Sequence, residues 1–489
     1  MKLSSEKSPL MPYTEEYKDP LHVQASVSSC VPRRNSLEDH SDRSSARKYF
    51  QVRYLMAVLS FLGLSNAFGM KINLSVAIVQ MVQETYTVEK NGTTEEYPAF
   101  DWNTIEQGRL LSSFFWGYII TQLPGGVISG KFGGKNVFGF GILSPAIFNL
   151  LTPLAATYGG LNWLMFVRIL EGMVGGVIYP ALLQFWSKWA PEMERTQLVA
   201  LSMTGAYFGT VVAMPLCGLL AHHFGWESIF YVYGGFGCLW FLIWNFTAAD
   251  TPDLHPFISI EEQHYIVLTR TDKGNCINFK DIPWRKISTS LPFYAIVCAH
   301  FSENWGFYTL LTVLPTYMKD ILNFNIVESG ILSAIPYLVM IITSISMGFV
   351  ADFLRRNKYL STKSVRKLFN TISFLSQSTF LILTGYTTNA TVAVLYLSLS
   401  VGLGGFLASG YLSNFLDIST RYVAVIMGIS NTIASIPGCI SPTIVGLLTS
   451  DQTLEEWRIV FYISGVVYAI GGTIFVLFSS GELQSWNND

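Results

Sequence analysis

Residues 161–186 read LNWLMFVRILEGMVGGVIYPALLQFW, and this stretch decides the fold class. It is long and apolar enough to cross a bilayer as a helix, which takes about 20 residues at about 1.5 Å of rise each. Arg168 and Glu171 lie inside it and share one helix face, because they are three residues apart. A charged side chain at the bilayer centre costs about 2.5–3.5 kcal/mol, so both should face a partner helix or a watery cavity. The stretch predicts a transmembrane helix with a candidate functional site; the alternative is a self-neutralised pair that only locks helix packing.

Composition places the whole chain among membrane proteins. Half of its 489 residues are hydrophobic and only 13% are charged, whereas a soluble protein carries about 25% charged residues. The net charge of −2 gives no indication of a nucleic-acid partner. The six cysteines and seven histidines show no metal-ligand spacing. The sequence predicts no metal site, no organic cofactor and no enzyme, since no nucleophile, base and orienting group converge in its motifs.

About twelve hydrophobic spans are predicted, six on each side of a polar segment, and each fits a helix across about 30 Å of hydrocarbon. They lie near residues 52–82, 108–128, 137–157, 161–189, 198–224, 228–248, 291–317, 329–351, 368–386, 391–416, 423–449 and 457–479. The predicted fold class is therefore an all-α membrane protein with two six-helix bundles.

The predicted domains follow from these spans. Residues 1–51 are polar and should form a disordered cytosolic tail. In this tail Glu6 precedes Leu10 with the spacing of an acidic dileucine signal, so sorting adaptors are possible partners of the tail. Residues 52–249 are the N-terminal bundle, 250–290 a cytosolic linker, 291–480 the C-terminal bundle and 481–489 a short cytosolic tail.

Lysine and arginine predict which side of the membrane each loop faces. The N-terminal tail, the second loop, the linker and the eighth loop are basic, so both termini should be cytosolic. The first loop, residues 83–107, is acidic and contains the sequon Asn91-Gly92-Thr93. A glycan on Asn91 is consistent with a lumenal or extracellular position for this loop.

The two halves of the sequence repeat weakly. Glu106-Gln107-Gly108 opens span two as Glu328-Ser329-Gly330 opens span eight, and Gly126 and Gly348 follow at the same distance. Both spans end in a short loop with basic residues, and the first of these loops, GKFGGK, resembles the major facilitator superfamily signature, with Gly130 at the position of its Asp. Parallel repeats of this kind are typical of transporters.

Charged or titratable residues inside the spans are few: Lys71 in span one, Arg168 and Glu171 in span four, and His300 and Glu303 in span seven. Facing lipid, the four formal charges would together cost about 10–14 kcal/mol, so they must be sheltered. The fold that the repeat resembles, a six-plus-six facilitator, implies that spans one, four and seven line a central cavity.

The functional interpretation assigns Lys71 and Arg168 to an anionic substrate, because guanidinium and ammonium groups bind carboxylates and phosphates. Glu171 or Glu303 would carry a coupled proton: burial favours a neutral carboxyl group, whereas nearby cations favour the ionised form. For Lys71 the alternative is snorkelling toward the edge of the membrane. His300 is a secondary candidate, since a satisfied core histidine is the commoner case.

Several strings together resemble one family. KINLSVAIVQMV, FFWGYIITQLPGG, FVRILEG, WSKWAPEMER and HFSENWGFYTLLTVLPTYMKDIL are similar to the anion-transporting solute carriers that include sialin, the vesicular glutamate transporters and the type I phosphate cotransporters. The resemblance implies that Arg168 and Glu171 are the family's span-four pair. Where the family has other residues, this chain has Lys71 in span one, Gly175 in span four and Glu303 in span seven. Asn73 and Tyr118, which lie in the quoted strings, are secondary site candidates.

The predicted function is proton-coupled transport of a small organic anion, such as an acidic sugar or acidic amino acid, across a lysosomal or vesicular membrane. One alternative is sodium-coupled uptake of phosphate or organic anions at the plasma membrane. The alternative from another class is an anion receptor or sensor that does not transport.

Overall fold

The computed structural model describes residues 51–82, 85–90, 93–98, 100–191, 194–269, 282–419 and 422–488. The predicted tail with its sorting signal at Glu6 and Leu10, the sequon at Asn91 and linker residues 270–281 lie outside the described residues.

Long helices build nearly all of the described chain. The first half contains α1 (Val52–Met81), α2 (Thr104–Phe132), α3 (Gly134–Gly175), α4 (Ile178–Trp189), α5 (Arg195–Phe224) and α6 (Trp226–Thr247). The linker contributes the short helices α7 (Ile260–Thr269) and α8 (Trp284–Ile287). The second half contains α9 (Leu291–Asp320), α10 (Ile326–Arg356), α11 (Thr362–Thr384), α12 (Ala390–Leu403), α13 (Tyr411–Ile418), α14 (Val423–Ala434), α15 (Ile436–Leu448) and α16 (Leu454–Phe478). Short 3-10 turns lie at Pro252–Leu254, Gly404–Ala408 and Ser485–Asn488.

A small β-hairpin stands where the sequence analysis predicts only a loop. Strands β1 (Thr85–Lys90) and β2 (Thr93–Pro98) pair antiparallel, with Thr85 opposite Pro98. The signal was present in the sequence, because Asn91-Gly92 separates two segments rich in Thr, Tyr and Val, and Asn-Gly is the strongest short hairpin signal.

The predicted number of spans agrees with the helices of the described chain. Eight helical segments are long and apolar enough to cross a membrane. One of them, residues 134–189, doubles back, and α2, α9 and α11 add three more helices of 29, 30 and 23 residues. The described chain therefore holds twelve segments of bilayer length, in the order predicted.

The reversal inside α3 occurs at Gly160. Its φ of 66° is a left-handed conformation that glycine adopts without steric cost. Residues equidistant from Gly160 touch, because Asn149 contacts Glu171 and a Cβ built on Gly141 would contact Ile178. The two arms of α3 therefore run antiparallel as two passes, and this reversal brings Glu171 beside Asn149.

The predicted repeat appears in how α2 and α10 begin. Asn103 and Glu106 form a capping box at the start of α2, and Asn325 and Glu328 form the same box at the start of α10. Each box satisfies backbone N–H groups that a helix start leaves unpaired. The caps also extend both helices several residues beyond the predicted apolar spans. Hydropathy does not predict these first turns, because their residues are polar.

The most extensive contacts between the halves of the chain are those of α2 with α15 and of α5 with α10, and α1 also packs on α9. We call the face of the molecule where α1 ends and α2 begins the loop face, and the face where α1 begins and α16 ends the terminal face. Near the loop face a Cβ on Gly108 would lie 2.4 Å from the Pro442 carbonyl oxygen, and one on Gly330 would lie 2.6 Å from that of Met214. Only glycine permits such close backbone approach.

The same helix faces are free near the terminal face. Gly126 follows Gly108, and Gly348 follows Gly330, by 18 residues, which is five helical turns and so the same face. A Cβ on Gly126 or Gly348 would meet no described atom within 4 Å. The two halves therefore touch near the loop face and diverge toward the terminal face.

At the terminal face an ion cluster ties α1 to the linker. Arg53 donates to both carboxylate oxygens of Glu194, at 2.8 and 3.0 Å, and to Glu262 at 3.1 Å. Glu262 of α7 also accepts from the backbone N–H groups of Val52 and Arg53 at the start of α1. The hydrogen bond from Arg53 holds the pKa of the Glu194 carboxyl below its usual range.

Replacing Gly108 with alanine should weaken the contact between the halves at the loop face. Overpacking of this kind costs about 1–3 kcal/mol, which corresponds to a loss of the packed population of about 5- to 150-fold. The measurement is disulfide formation between Ser112→Cys and Thr443→Cys, whose hydroxyl oxygens lie 2.9 Å apart, in an otherwise cysteine-free background. Gly126→Ala is the matched control and should leave cross-linking unchanged. Equal cross-linking in the Gly108→Ala variant would contradict this account of the contact.

Candidate functional site

Arg168 is fully enclosed between α3 and α1. Its side chain is 1% exposed, and its Nη1 atom donates to Glu171 Oε2 at 2.7 Å. Further bonds go to the backbone carbonyl oxygens of Met70, at 3.3 Å from Nη1, and Lys71, at 3.1 Å from Nη2. Its Nε atom has no hydrogen-bond partner among the described residues. Arg168 therefore neutralises Glu171 and fastens the second pass of α3 to the middle of α1.

A chain of amide side chains extends from Glu171. Asn149, on the first arm of α3, donates to Glu171 Oε1 at 2.7 Å and accepts a bond of 2.6 Å from Asn73 on α1. All three side chains are buried. Removing one member of such a network leaves buried polar groups unpaired, which costs about 1–3 kcal/mol for each group. The network holds α1 and both arms of α3 in fixed register around the ion pair.

Lys71 occupies an aromatic box and makes no ion pair with the described part of the chain. Its ammonium lies 4.5 Å from the centre of the Tyr308 ring and 4.7 Å from those of Phe115 and Tyr118. Two further rings, Phe68 and Phe114, lie within 6 Å. Among the described residues no carboxylate lies within the 4.0 Å of a salt bridge. Cation–π contacts of about 0.5–2 kcal/mol each stabilise the charge only in part.

A small cavity lies beside this box. Lys71, Tyr118 and Glu171 contribute its polar side chains together with Tyr179, and the rest of the wall is apolar. The remaining lining residues come from α1, α2, α3 and α4: Leu64, Ala67, Phe68, Met70, Phe114, Pro145, Gly175 and Ile178. Both oxygens of Glu171 already accept hydrogen bonds, so the cavity presents chiefly an unpaired ammonium among rings.

Glu303 is a second buried carboxylate, on α9 in the other half of the chain. It is 7% exposed and accepts a hydrogen bond of 3.0 Å from the Gln377 amide of α11. In the described part of the chain it forms no salt bridge. His300, one turn earlier, is hydrogen-bonded to Ser430 at 2.9 Å and packs beside Tyr411. One ring nitrogen of His300 is therefore engaged within the protein core.

The structure brings most of the predicted residues into one region. Lys71, Glu171 and Tyr118 line the cavity, whereas Arg168 and Asn73 stand behind its wall, bonded to other protein groups. Glu303 and His300 belong to a separate environment on α9.

Four further residues of these environments were missed by the sequence analysis: Asn149, Phe115, Tyr308 and Gln377. A buried Asn in the predicted third span and a Gln in the ninth were visible signals, since polar residues inside spans are functional candidates. The two aromatic residues carried no signal, because their sequence context is that of ordinary core packing.

The chain is similar to several known proteins. Residues 59–442 match the Major Facilitator Superfamily. The chain is 41% identical over 479 residues to sialin of Homo sapiens, covering 93% of this chain and 96% of that protein. It is 44% identical over 440 residues to vesicular glutamate transporter 3 of Danio rerio, covering 89% and 74% respectively.

Among solved structures, a bacterial homolog of the human lysosomal transporter Spinster, described as inward-facing and occupied, superimposes with a TM-score of 0.68 at 14% identity. That match covers 87% of this chain and 96% of the other. A D-xylose–proton symporter superimposes with a TM-score of 0.66 at 12% identity, covering 88% and 98%. At these identities the two structures support the fold alone.

Substituting Arg168 with methionine should destabilise the protein, because it leaves the Glu171 carboxylate buried without a cation. Losing one partner of a buried ion pair costs about 3–5 kcal/mol. The double variant Arg168→Met with Glu171→Gln should recover much of this loss. The measurement is thermal unfolding in detergent for the two single variants and the double variant. Strictly additive losses would show that the two side chains are not coupled.

Proposed function

The chain belongs to the Major Facilitator Superfamily, in the group that includes sialin and the vesicular glutamate transporters, and we propose that it moves small organic anions across a membrane by proton-coupled alternating access. The observation that carries this proposal is the ammonium of Lys71, buried beside a cavity without a carboxylate partner. A buried cation that lacks a counter-ion is costly, and an anionic ligand would remove that cost. Lys71 is therefore the proposed anion-binding group.

Arg168 acts through position rather than through direct contact in this proposal. Its guanidinium is engaged by Glu171 and by two carbonyl oxygens of α1, one of them the carbonyl of Lys71 itself. Holding this backbone fixes where the Lys71 side chain begins. The Nε–H group of Arg168, which has no partner among the described residues, is a group through which it could also contact a substrate once the site rearranges.

The lining supports a monovalent anion with a largely apolar body. One ammonium stands unpaired at this cavity, and most of the wall is aromatic or aliphatic. Each sugar hydroxyl or second carboxylate buried there without a partner would cost about 1–3 kcal/mol. Among organic anions, a monocarboxylate with a ring is therefore preferred over a dicarboxylate.

The divergence of the halves supports alternating access. The contacts at Gly108 and Gly330 close the loop face, whereas Gly126 and Gly348 on the same helix faces are free. If the halves rock about the cavity, these second glycines allow the matching approach at the terminal face. The basic loops support a cytosolic terminal face, so both termini would be cytosolic.

Glu303 is the better placed of the two candidate proton carriers. Glu171 is balanced by Arg168, so protonating it would leave a buried cation unpaired. Glu303 accepts a hydrogen bond from the neutral Gln377 amide and pairs with no cation among the described residues, so it can gain or lose a proton without that penalty. The alternatives are coupling to sodium and an anion receptor that binds without flux.

The relatives support an intracellular membrane. Sialin and the vesicular glutamate transporters make a lysosomal or vesicular membrane the proposed location, ahead of the plasma membrane. Adaptors that read the N-terminal tail would sort the protein there.

Lys71→Gln should reduce anion uptake into proteoliposomes by at least about tenfold, because loss of about 1.4 kcal/mol in binding already has that effect. Lys71→Arg should retain part of the activity, since it keeps the charge but not the compact ammonium. Uptake of benzoate, sialic acid and glutamate is measured at two lumenal pH values. Lys131→Gln, on the exposed surface, is the control. Full activity of Lys71→Gln with all three anions would rule out Lys71 as the binding group.

Glu303→Gln should abolish the response of uptake to a pH gradient while exchange of internal for external anion continues. The amide mimics the protonated carboxyl group and cannot release a proton. Flux is recorded with an imposed proton gradient and, separately, with a sodium gradient. Glu482→Gln, exposed at the end of the chain, is the control. A normal pH response in the variant would move the role to Glu171, and dependence on sodium alone would favour the sodium-coupled alternative.

A further inference from the structure

A stripe of buried polar side chains runs along one face of α11. Arg366, Asn370, Ser373 and Gln377 follow at spacings of four, three and four residues, which places them on a single helix face. Each is at most 4% exposed. Polar residues on successive turns inside a membrane helix are costly unless they are paired or hydrated. The stripe therefore needs partners over about 16 Å of helix.

The partners come from a membrane span that is not continuous. Between α12 and α13 the chain forms a 3-10 turn at Gly404–Ala408, and Gly410 has φ −84° and ψ −115°, which is not helical. Ser373 donates to the Leu403 carbonyl oxygen at 3.0 Å, and Arg366 donates to that of Ser409 at 2.7 Å. Backbone that is not helical is tolerated at this depth only where it is buried in protein or lines a hydrated space.

Three amide atoms on this route lack hydrogen-bond partners among the described residues. Neither amide atom of Asn370, which is 0% exposed, has a hydrogen-bond partner in the described chain. The Oδ1 atom of Asn414 on α13 is also unpartnered. A Cβ on Gly410 would lie 3.2 Å from Asn370 Oδ1, so the backbone of Gly410 passes close to the amide. Buried polar groups of this kind are commonly satisfied by internal water.

The stripe has a carboxylate at each end. At mid-membrane Gln377 donates to Glu303 Oε2 and to the Ser373 hydroxyl, both at 3.0 Å. At the terminal face Arg366 and Asn414 both bond to Asp417 Oδ2, at 2.7 and 3.1 Å. The order along the route is Glu303, Gln377, Ser373, Asn370, Asn414 and Asp417.

A single bound metal cation does not fit this arrangement. Gln377 and Asn370 are seven residues apart, about 10 Å along the helix. Their oxygen atoms cannot share one sodium ion, which needs several oxygen ligands within about 2.6 Å, as the related hard cations do. Spacing by helical turns suits a line of water molecules instead.

We propose that this stripe carries a file of water molecules that conducts the coupling proton between Glu303 and the terminal face, inside the second half of the chain and apart from the Lys71 cavity. The proposal rests on the proposed function, in which Glu303 is the proton carrier. In each transfer the O–H bond of the donor breaks and an O–H bond forms on the neighbouring water. The proton leaves Glu303 and ends in bulk water beside Asp417, so no oxidant or other reactant is required.

Other titratable groups near the route are few among the described residues. Tyr207, Tyr411 and Tyr468 are within electrostatic range of Glu303, from α5, α13 and α16. His300 lies one turn away on α9 and is bonded to Ser430. At the terminal end Arg366 balances Asp417. The neutral tyrosines leave Glu303 as the proton donor of the route.

Asn370→Leu tests the route, because leucine keeps the branched shape of asparagine and removes both polar atoms of the amide. Substrate-driven proton flux should fall about tenfold, equivalent to about 1.4 kcal/mol on a rate barrier. It is measured with a pH dye inside proteoliposomes, with benzoate, sialic acid and glutamate as probe anions. Exchange of labelled internal for external anion at equal pH should stay within about twofold of wild type, since it requires no net proton movement.

Two further variants keep the test decisive. Asn370→Ser retains a group that binds water and should restore proton flux, even if Asn370→Leu folds poorly. Thr384→Val changes a buried polar residue on α11 that lies two turns beyond Gln377, away from the terminal face, and should have no effect. Wild-type proton flux in Asn370→Leu, or equal losses of proton flux and exchange, would overturn the proton route. Anion exchange without any proton flux in the wild-type protein would instead overturn the proposed coupling.

Discussion

The ion pair between Arg168 and Glu171 is the interaction on which the rest of the site depends. Within a bilayer neither charge could persist alone, because the penalty for one unpaired buried charge is several kcal/mol. Their pairing is completed by Asn149, Asn73 and two carbonyl oxygens of α1, so one network fixes α1 and both passes of α3. Since this network engages both Nη atoms of the guanidinium, the ammonium of Lys71 is the cation without a carboxylate partner at the cavity among the described residues.

The contact between the two halves depends on glycine residues. Gly108 and Gly330 let backbones of opposite halves approach to distances that a Cβ would forbid. Gly126 and Gly348 lie five turns away on the same helix faces, and a Cβ on either would meet no described atom within 4 Å. A surface built to pack at either end can change partners without repacking its core, which is the requirement for alternating access.

The two halves divide the chemistry unequally. The first half holds Lys71 and the neutralised pair, whereas the second half holds Glu303, the polar stripe of α11 and the interrupted span beside it. Although the sequence repeat gives both halves similar capping boxes and glycine spacing, their buried charges differ in sign and surroundings. In the proposed mechanism the anion therefore binds in the first half and the proton in the second, and one movement of the two halves releases both.

The sequence alone determined the helical membrane class, the number and order of spans, the charge of the loops and five of the buried ionisable residues. It missed others, among them Arg366 of the polar stripe. Hydropathy and the cost of burying charge are local properties, so they can be read without knowing which helices are neighbours. The sequence could not decide that Arg168 bonds to the backbone of α1, that Tyr308 completes the box around Lys71, or that Glu303 faces Gln377. Those contacts join residues distant in sequence, and helix packing alone brings them within hydrogen-bond or van der Waals distance. The sequence also could not decide the break at Gly404–Ala408. This glycine-rich run has the hydropathy of a continuous span, and only the fold places it against the polar stripe of α11, which hydrogen-bonds to its backbone.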